Sequence, residues 1–215
     1  MEPEFWNERW ERGEIGFHEG RPNQLLQKHI ELFAGRQRVL VPLSGKAVDL
    51  QFLADRGLEV VGVELVERAA REFFEEQGLP PKERREGEFL ALESGPITIY
   101  VGDLFKTSRS LLGDFDAIYD RAAIVALPPE LRARYAPKIQ ELSREGARML
   151  TLTFIYDGEK AQKIGPPFSV KSEELRRLYA GATIEELDRV THEAGDRLKH
   201  MGLQTIVEAI HRIDL

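Results

Sequence analysis

The chain has 215 residues, 42% hydrophobic and 31% charged, with 37 acidic against 30 basic side chains and a net charge of −7. That length can bury a sizeable core in one domain, and the acidic balance, with no lysine/arginine stripe on any face, argues against nucleic acid. No apolar run approaches the roughly 18 residues of a membrane span, no basic-then-apolar leader opens the chain, and the lack of cysteine excludes disulfides and thiolate zinc sites, so a cytoplasmic protein is expected.

Residues 3–12 read as a helix with Trp6 and Trp10 at i and i+4, hence on one face. The pair either staples this helix to the core or makes it a lid over a planar ligand. Gly13 to Arg21, with Gly13, Gly16 and Gly20 around Phe17-His18, reads as a loop. Asn23 to Phe33 reads as a second helix with Leu25, Leu26, His29, Ile30 and Phe33 on one side. The run Val39-Leu40-Val41-Pro42-Leu43 is short, apolar and β-branched, as a buried parallel strand should be. Ser44-Gly45-Lys46 breaks it. Leu50, Phe52, Leu53 and Leu58 follow at roughly helical spacing, with Gly57 as a C-cap, and Val60 to Val63 forms a second strand ending in Glu64. An acid 19 residues past Gly45 suits the ribose hydroxyls of an adenosine-containing cofactor. The turn lacks the G-x-G-x-x-G fingerprint of dinucleotide sites.

Arg68 to Gln77 reads as a helix with Phe73-Phe74 inward, and Leu79 to Pro96 as a polar loop. Ile97 to Val101 is a third strand, leading into Gly102-Asp103-Leu104-Phe105, and Phe115 to Arg121 is a fourth. Pro128-Pro129-Glu130 starts a helix in the manner of an N1 proline, running to about Glu145 with a kink expected at Pro137. Met149 to Tyr156 is a fifth strand, Gly165-Pro166-Pro167-Phe168 a loop, and Ser172 with Glu173-Glu174 caps a helix to Tyr179. Thr183 to Val190 and Leu203 to Ile210 alternate as an antiparallel pair at a sheet edge should. The expected fold is α/β, a doubly wound, mostly parallel seven-stranded sheet in a single domain over 1–215. An N-terminal lid and helix would occupy 1–36 and the sheet core 37–215.

Open parallel sheets bind ligands outside the carboxyl ends of their strands. Those ends carry Leu43-Ser44-Gly45, Glu64, Asp103-Leu104 and Asp120-Arg121. They supply an acid for ribose, a polar-plus-apolar pair for adenine, and a cation. Asp120-Arg121 could instead be a buried structural ion pair. No metal triad at helical spacing, G-x-S-x-G elbow or phosphate-binding loop is present.

Read together, Trp6-x-x-x-Trp10, Gly16-Phe17-His18, Pro42-Leu43-Ser44-Gly45-Lys46, Val61-Gly62-Val63-Glu64, Gly102-Asp103-Leu104-Phe105, Asp120 to Pro128 and Gly165-Pro166-Pro167-Phe168 resemble the thiopurine S-methyltransferase family in its bacterial form, over nearly the whole length. One departure is Ser44, where the family usually has cysteine. The resemblance implies S-adenosyl-L-methionine as methyl donor, S-adenosyl-L-homocysteine as product, and a small thiol, thiopurine-like or selenium acceptor. It places Trp6, Trp10, Leu43, Glu64, Asp103, Leu104 and Arg121 at the cofactor. Phe17, Arg121 and, through a looser match, Arg197 would face the acceptor, with Arg121 the catalytic residue. A monomer with no nucleic-acid, membrane or metal partner is expected. Alignment near 3–3.5 Å can contribute roughly 7–11 kcal/mol, and a cation beside an aromatic thiol favours its thiolate, which fits the lack of an obvious base. Rival readings are a methyltransferase for halide or thiocyanate, a nicotinamide-dependent oxidoreductase, and a non-catalytic adenosine-ligand sensor.

Overall fold

In the computed structural model of the chain, the described residues are 3–14, 18–156 and 165–215. Nine strands form one sheet in the order β3-β4-β5-β2-β1-β6-β7-β9-β8. They are β1 (Arg38–Pro42), β2 (Glu59–Glu64), β3 (Lys82–Glu86), β4 (Phe89–Ser94), β5 (Ile97–Val101), β6 (Phe115–Arg121), β7 (Ser143–Ile155), β8 (Thr183–Glu193) and β9 (Thr205–Asp214). Strands β5, β2, β1, β6 and β7 run parallel. The flanking pairs are antiparallel.

The apolar runs account for this order. All of β1 after Arg38 and all of β2 after Glu59 are buried, so both faces need cover. One face packs against Leu25, Leu26 and Phe33 with α3 (Asp49–Ala54) and α4 (Glu67–Glu76), which turns Ala70, Phe73 and Phe74 inward. The other face packs on α6 (Pro129–Leu142) through Tyr135, Ala136, Ile139 and Leu142. From β1 the chain builds outward through β2 and β5 on one side, then returns to lay β6 and β7 on the other. The strand order therefore reverses between β1 and β6, where doubly wound sheets leave a ligand crevice.

Two expectations need correction. Seven strands become nine because residues 82–94, read as part of a loop, form the β3-β4 hairpin. Strand β3 is Lys-Glu-Arg-Arg-Glu, with no apolar alternation, and its stability is lent by neighbours. Arg84 pairs with Glu93 at 2.6 Å across the hairpin, and Arg71 of α4 with Glu83 at 2.8 Å. Gly87 and Gly95, at φ +62° and +57°, supply the two tight turns. The second correction concerns boundaries. Helix α2 (Gln24–His29) tightens into a 3-10 turn over Ile30–Phe33, and α6 stops at Leu142, so that β7 begins six residues before Met149. Ser172 opens α7 (Ser172–Leu178) without capping it, because its hydroxyl lies 3.0 Å from His211 Nε2. The antiparallel pair β8-β9 stands at the sheet edge as expected. Two short helices, α5 (Arg109–Leu112) and α8 (Asp196–His200), had no sequence counterpart.

Candidate active site

The crevice between β1 and β6 is walled by Trp10, His18, Leu43, Asp49, Tyr119 and Arg121, with Ser44, Gly45 and Ala122 at the strand ends. Its backbone is strained on both sides. Leu43 at the end of β1 and Ala122 just past β6 hold φ of +48° and +68°, a region costly for residues bearing a Cβ. Such outliers persist where surrounding structure over-determines them, and they cluster at functional sites. At Ala122 the over-determining group is Asp120. Its Oδ1 accepts the Ala123 and Ile124 N–H groups at 3.1 Å, and its Oδ2 the Tyr135 hydroxyl at 2.8 Å. Asp120 and Arg121 thus form no ion pair; alternation along β6 sends them to opposite faces. Phe168 covers the same segment, donating its N–H to Val125 O at 2.6 Å.

Glu64 closes the crevice from β2. It is 6% exposed. Its Oε2 accepts the Gly45 N–H at 2.7 Å and its Oε1 the Val66 N–H at 2.8 Å, so one side chain fixes the glycine turn and the entry to α4 together. Burial pushes its carboxyl above the ordinary value, with the backbone donors opposing. Each oxygen keeps acceptor capacity beyond its one N–H, so ribose hydroxyls could be taken without breaking the turn.

The N-terminal segment lies across this turn. Helix α1 (Pro3–Glu11) seats Trp10, 4% exposed, against Val66 and Ala69, with Trp6 packed beside it. The Trp10 ring also lies over Gly45, where an added Cβ would meet it at 3.5 Å. Further along, Glu19 Oε1 accepts from Arg121 Nη2 at 2.6 Å, and the Asn23 N–H donates to Asp49 Oδ1 at 2.7 Å. Burial works against the charge of Arg121, but Glu19, Tyr119 and Asp49 outweigh it and hold the guanidinium above its ordinary value. Asp49 is pushed up to about 6 by burial, against the Asn23 N–H and the Arg121 charge. Burial and Lys46 together lower His18, which favours a neutral imidazole. Lys46 itself is committed to Glu72 and Glu76 at 2.8 and 2.7 Å.

Of the residues singled out from sequence, Trp10, Leu43 and Arg121 line one crevice, Glu64 braces its glycine turn, and Trp6 backs Trp10. Asp103 and Leu104 stand at the end of β5. The Asp103 carboxylate accepts the Phe105 N–H at 2.9 Å, and the Leu104 side chain is buried in the core. Phe17 and the side chain of Arg197 lie outside the described residues. Asp49, Tyr119 and Glu19 were missed. Asp49 left a trace, an acid in the apolar stripe of α3, and so did Tyr119, two residues before Arg121. The Glu19 contact spans 102 residues and left none.

A strand-order reversal, a glycine turn after β1 and a buried acid ending β2 make this a Rossmann-like sheet with a crevice of the kind that takes an adenosine-containing ligand. A profile of the family Thiopurine S-methyltransferase (TPMT) matches residues 1–214. The chain belongs to the thiopurine S-methyltransferase family, and S-adenosyl-L-methionine is accordingly its methyl donor. Curated thiopurine S-methyltransferases include one from Pseudomonas putida, 40% identical over 217 residues and covering 99% of each chain. Another, from Pseudomonas aeruginosa, is 45% identical over 193 residues, 88% of this chain and 87% of that one. Among solved structures, the Burkholderia thailandensis 1,6-didemethyltoxoflavin-N1-methyltransferase with bound S-adenosylhomocysteine superposes with a TM-score of 0.62 at 19% identity, over 99% of this chain and 87% of that one. Membership of this family sets aside the oxidoreductase and sensor readings. Among the described residues no cluster could hold a metal ion, and no helix is long and apolar enough to cross a membrane.

Proposed function

We propose that the chain methylates the sulfur or selenium of a small, anionic, thiol-like acceptor, and that Arg121 favours the anion. The observation that carries this reading is Arg121 itself. Its side chain is 13% exposed at the end of β6, and its carboxylate partner comes from the N-terminal segment rather than from the sheet. A structural guanidinium would be held by the strand framework; this one is held by a group that another anion can replace.

S-adenosyl-L-methionine, when bound, supplies a sulfonium methyl open to in-line attack. The chain's own residues bind and align. Glu64 holds the ribose while bracing Gly45, Leu43 and Trp10 close the cleft, and Asp103-Leu104 offers polar and backbone groups for adenine. Trp10 and Trp6 keep water off the turn, and Phe17 would cover the acceptor. With a thiolate as nucleophile no strong base is needed, which suits a crevice whose one imidazole, His18, belongs to the N-terminal segment.

The test is kcat/KM for an aromatic thiol from pH 6 to 9, with iodide and thiocyanate run as alternative acceptors. Arg121→Lys keeps the charge but loses the planar fork, so it should retain part of the rate. Arg121→Ala should lose far more, and its deficit should narrow at high pH as the thiol ionises unaided. A pH-independent deficit accompanied by a large drop in Tm would make Arg121 a structural residue. Turnover of iodide or thiocyanate but not of the thiol would reassign the acceptor.

A further inference from the structure

Beyond β7, the side of the sheet that carries Arg121 also carries an acid that the reaction above does not use. Arg121 stands opposite Leu152 of β7, Leu152 stands opposite Ile210 of β9, and Tyr119 shares one core with both leucine and isoleucine. Residues opposed across a ladder share a face, and so do residues two apart along a strand. Glu208, two residues before Ile210, therefore leaves the sheet on the side of Arg121. Along that face β9 reads Ile206-x-Glu208-x-Ile210, so an acid occupies a place that the pattern gives to a hydrophobe. Its side chain is 14% exposed. Its one hydrogen-bond partner among the described residues is the half-exposed His192, whose Nε2 lies 3.2 Å from Oε2. Sinking a carboxylate so far is costly unless it is paired, and a partner at one oxygen leaves the other open. The charge of Glu208 also reaches the crevice wall. Burial pushes the Tyr119 phenol up, and Asp49, Glu19 and Glu208 add to that against Arg121. Other acids on this side are engaged by cations: Asp188, opposite Ile210 on β8, by Lys28, and Glu19 by Arg121.

Neighbouring strands lie about 4.8 Å apart and successive residues rise about 3.3 Å, so two strand spacings and two residues separate the Cα atoms of Arg121 and Glu208 by roughly 12 Å. A ring with sulfur at one end and an N–H group at the other spans that distance, once a hydrogen bond of about 3 Å is allowed at each end. We propose that Glu208 is a specificity residue for the acceptor: its carboxylate accepts a hydrogen bond from an N–H group on the far side of an aromatic thiol whose sulfur lies at Arg121. The chain then favours aromatic thiols that carry such a donor over purely hydrocarbon ones. The two charges sort an acceptor by its polarity, the cation taking the sulfur end and the anion the donor end. Small inorganic anions have no donor to offer Glu208. The inference rests on the sulfur acceptor proposed above and specifies the other end of that molecule.

The experiment measures kcat and KM of the full chain, at saturating S-adenosyl-L-methionine, with two acceptors of nearly equal shape, 4-aminothiophenol and 4-methylthiophenol. Only the first carries an N–H donor opposite its sulfur. Glu208→Leu restores the apolar pattern of β9 and should fold at least as well as wild type. It should lower kcat/KM for the amino compound about tenfold or more, the scale of a charge-assisted hydrogen bond, mostly through KM. The methyl compound should stay within about twofold or improve. Glu208→Gln keeps the shape and one acceptor oxygen but loses the charge, so it should fall between wild type and Glu208→Leu. Glu208→Asp keeps the charge and should recover part of the discrimination. Wild type that turns over neither thiol would overturn the sulfur acceptor and this inference with it. Wild type that turns over both, with Glu208→Leu changing the two by equal factors whatever its Tm, would overturn the role of Glu208 alone and leave the sulfur acceptor standing.

Discussion

Ser44 shows what a single buried atom costs. Its hydroxyl has no partner among the described residues and points at Gly62, where an added Cβ would lie 2.9 Å from Oγ and 3.2 Å from Leu50 and Ile99. Glycine is required at 62 because the turn residue fills its side-chain space. A thiol is a soft, weakly hydrogen-bonding group that suits such an apolar niche, so Ser44→Cys should stabilise the chain by about 1 kcal/mol, read as a raised urea midpoint at constant slope. Asp120 carries the opposite lesson, a buried carboxyl with both oxygens hydrogen-bonded. Burial, outweighing the Ile124 and Ala123 N–H groups and Tyr135, moves it from 3.8 to about 6. Between those values the folded chain holds more protons than the unfolded one, so stability falls as pH rises from about 4 to about 6. The change is on the order of 3 kcal/mol for this one group, and it levels off above the folded pKa. Asparagine can accept the same two N–H groups and donate to Tyr135. Asp120→Asn should therefore flatten that slope, measured by urea unfolding at pH 4, 5 and 7, and leave the parallel shares of Asp49 and Glu64, whose carboxyls burial also raises. Glu64 and Arg121 could be read from sequence because strand ends in parallel sheets face the crevice; the partner Glu19 could not, because it meets Arg121 only when the chain closes.

At the scale of elements, the N-terminal segment is held at three points on three different supports: Trp10 on Val66 and Ala69, Glu19 on β6, and Asn23 on α3. Two of the three involve Trp10 and Arg121, residues proposed above to act at the site, so that proposal couples occupancy of the crevice to docking of the segment. Amide exchange over residues 4–14 and 18–23 should slow when S-adenosylhomocysteine is added, and unchanged exchange there would reduce the segment to a fixed part of the wall. The two readings of Trp6 and Trp10, staple or lid, turn out to share one geometry, since Trp10 is stapled to α4 while lying over the glycine turn. The β3-β4 hairpin escaped sequence reading for a definite reason. Alternation is visible only where one face is buried, and four of the five β3 residues are exposed and none is fully buried. Its partner β4 did leave signals, a Phe89-Leu90-Ala91-Leu92 run between two glycines at positive φ.

For the whole molecule, the sheet is the shared wall of two hydrophobic cores, each drawing on β1 and β6. Neither can be lost without the other, so near-UV and far-UV signals should report one coincident transition. A ligand at a hundredfold excess over its Kd adds about 2.7 kcal/mol, which for a chain of this size should raise Tm by about 5–10 °C; S-adenosylhomocysteine supplies the measurement. The parallel centre of the fold was legible because its strands are buried on both faces, while its rims were less so. Those rims have a consequence for crowded solutions. An open sheet ends in two rows of unpaired backbone groups that can recruit a strand from another copy and seed fibres. Here one rim is β3, Lys-Glu-Arg-Arg-Glu, and the other is β8, which carries Glu185, Glu186, Asp188, Arg189 and Glu193. An incoming strand would have to desolvate those charges before gaining a hydrogen bond. The charge that hid β3 from recognition is also what keeps a nine-stranded open sheet from growing a tenth strand out of its neighbour.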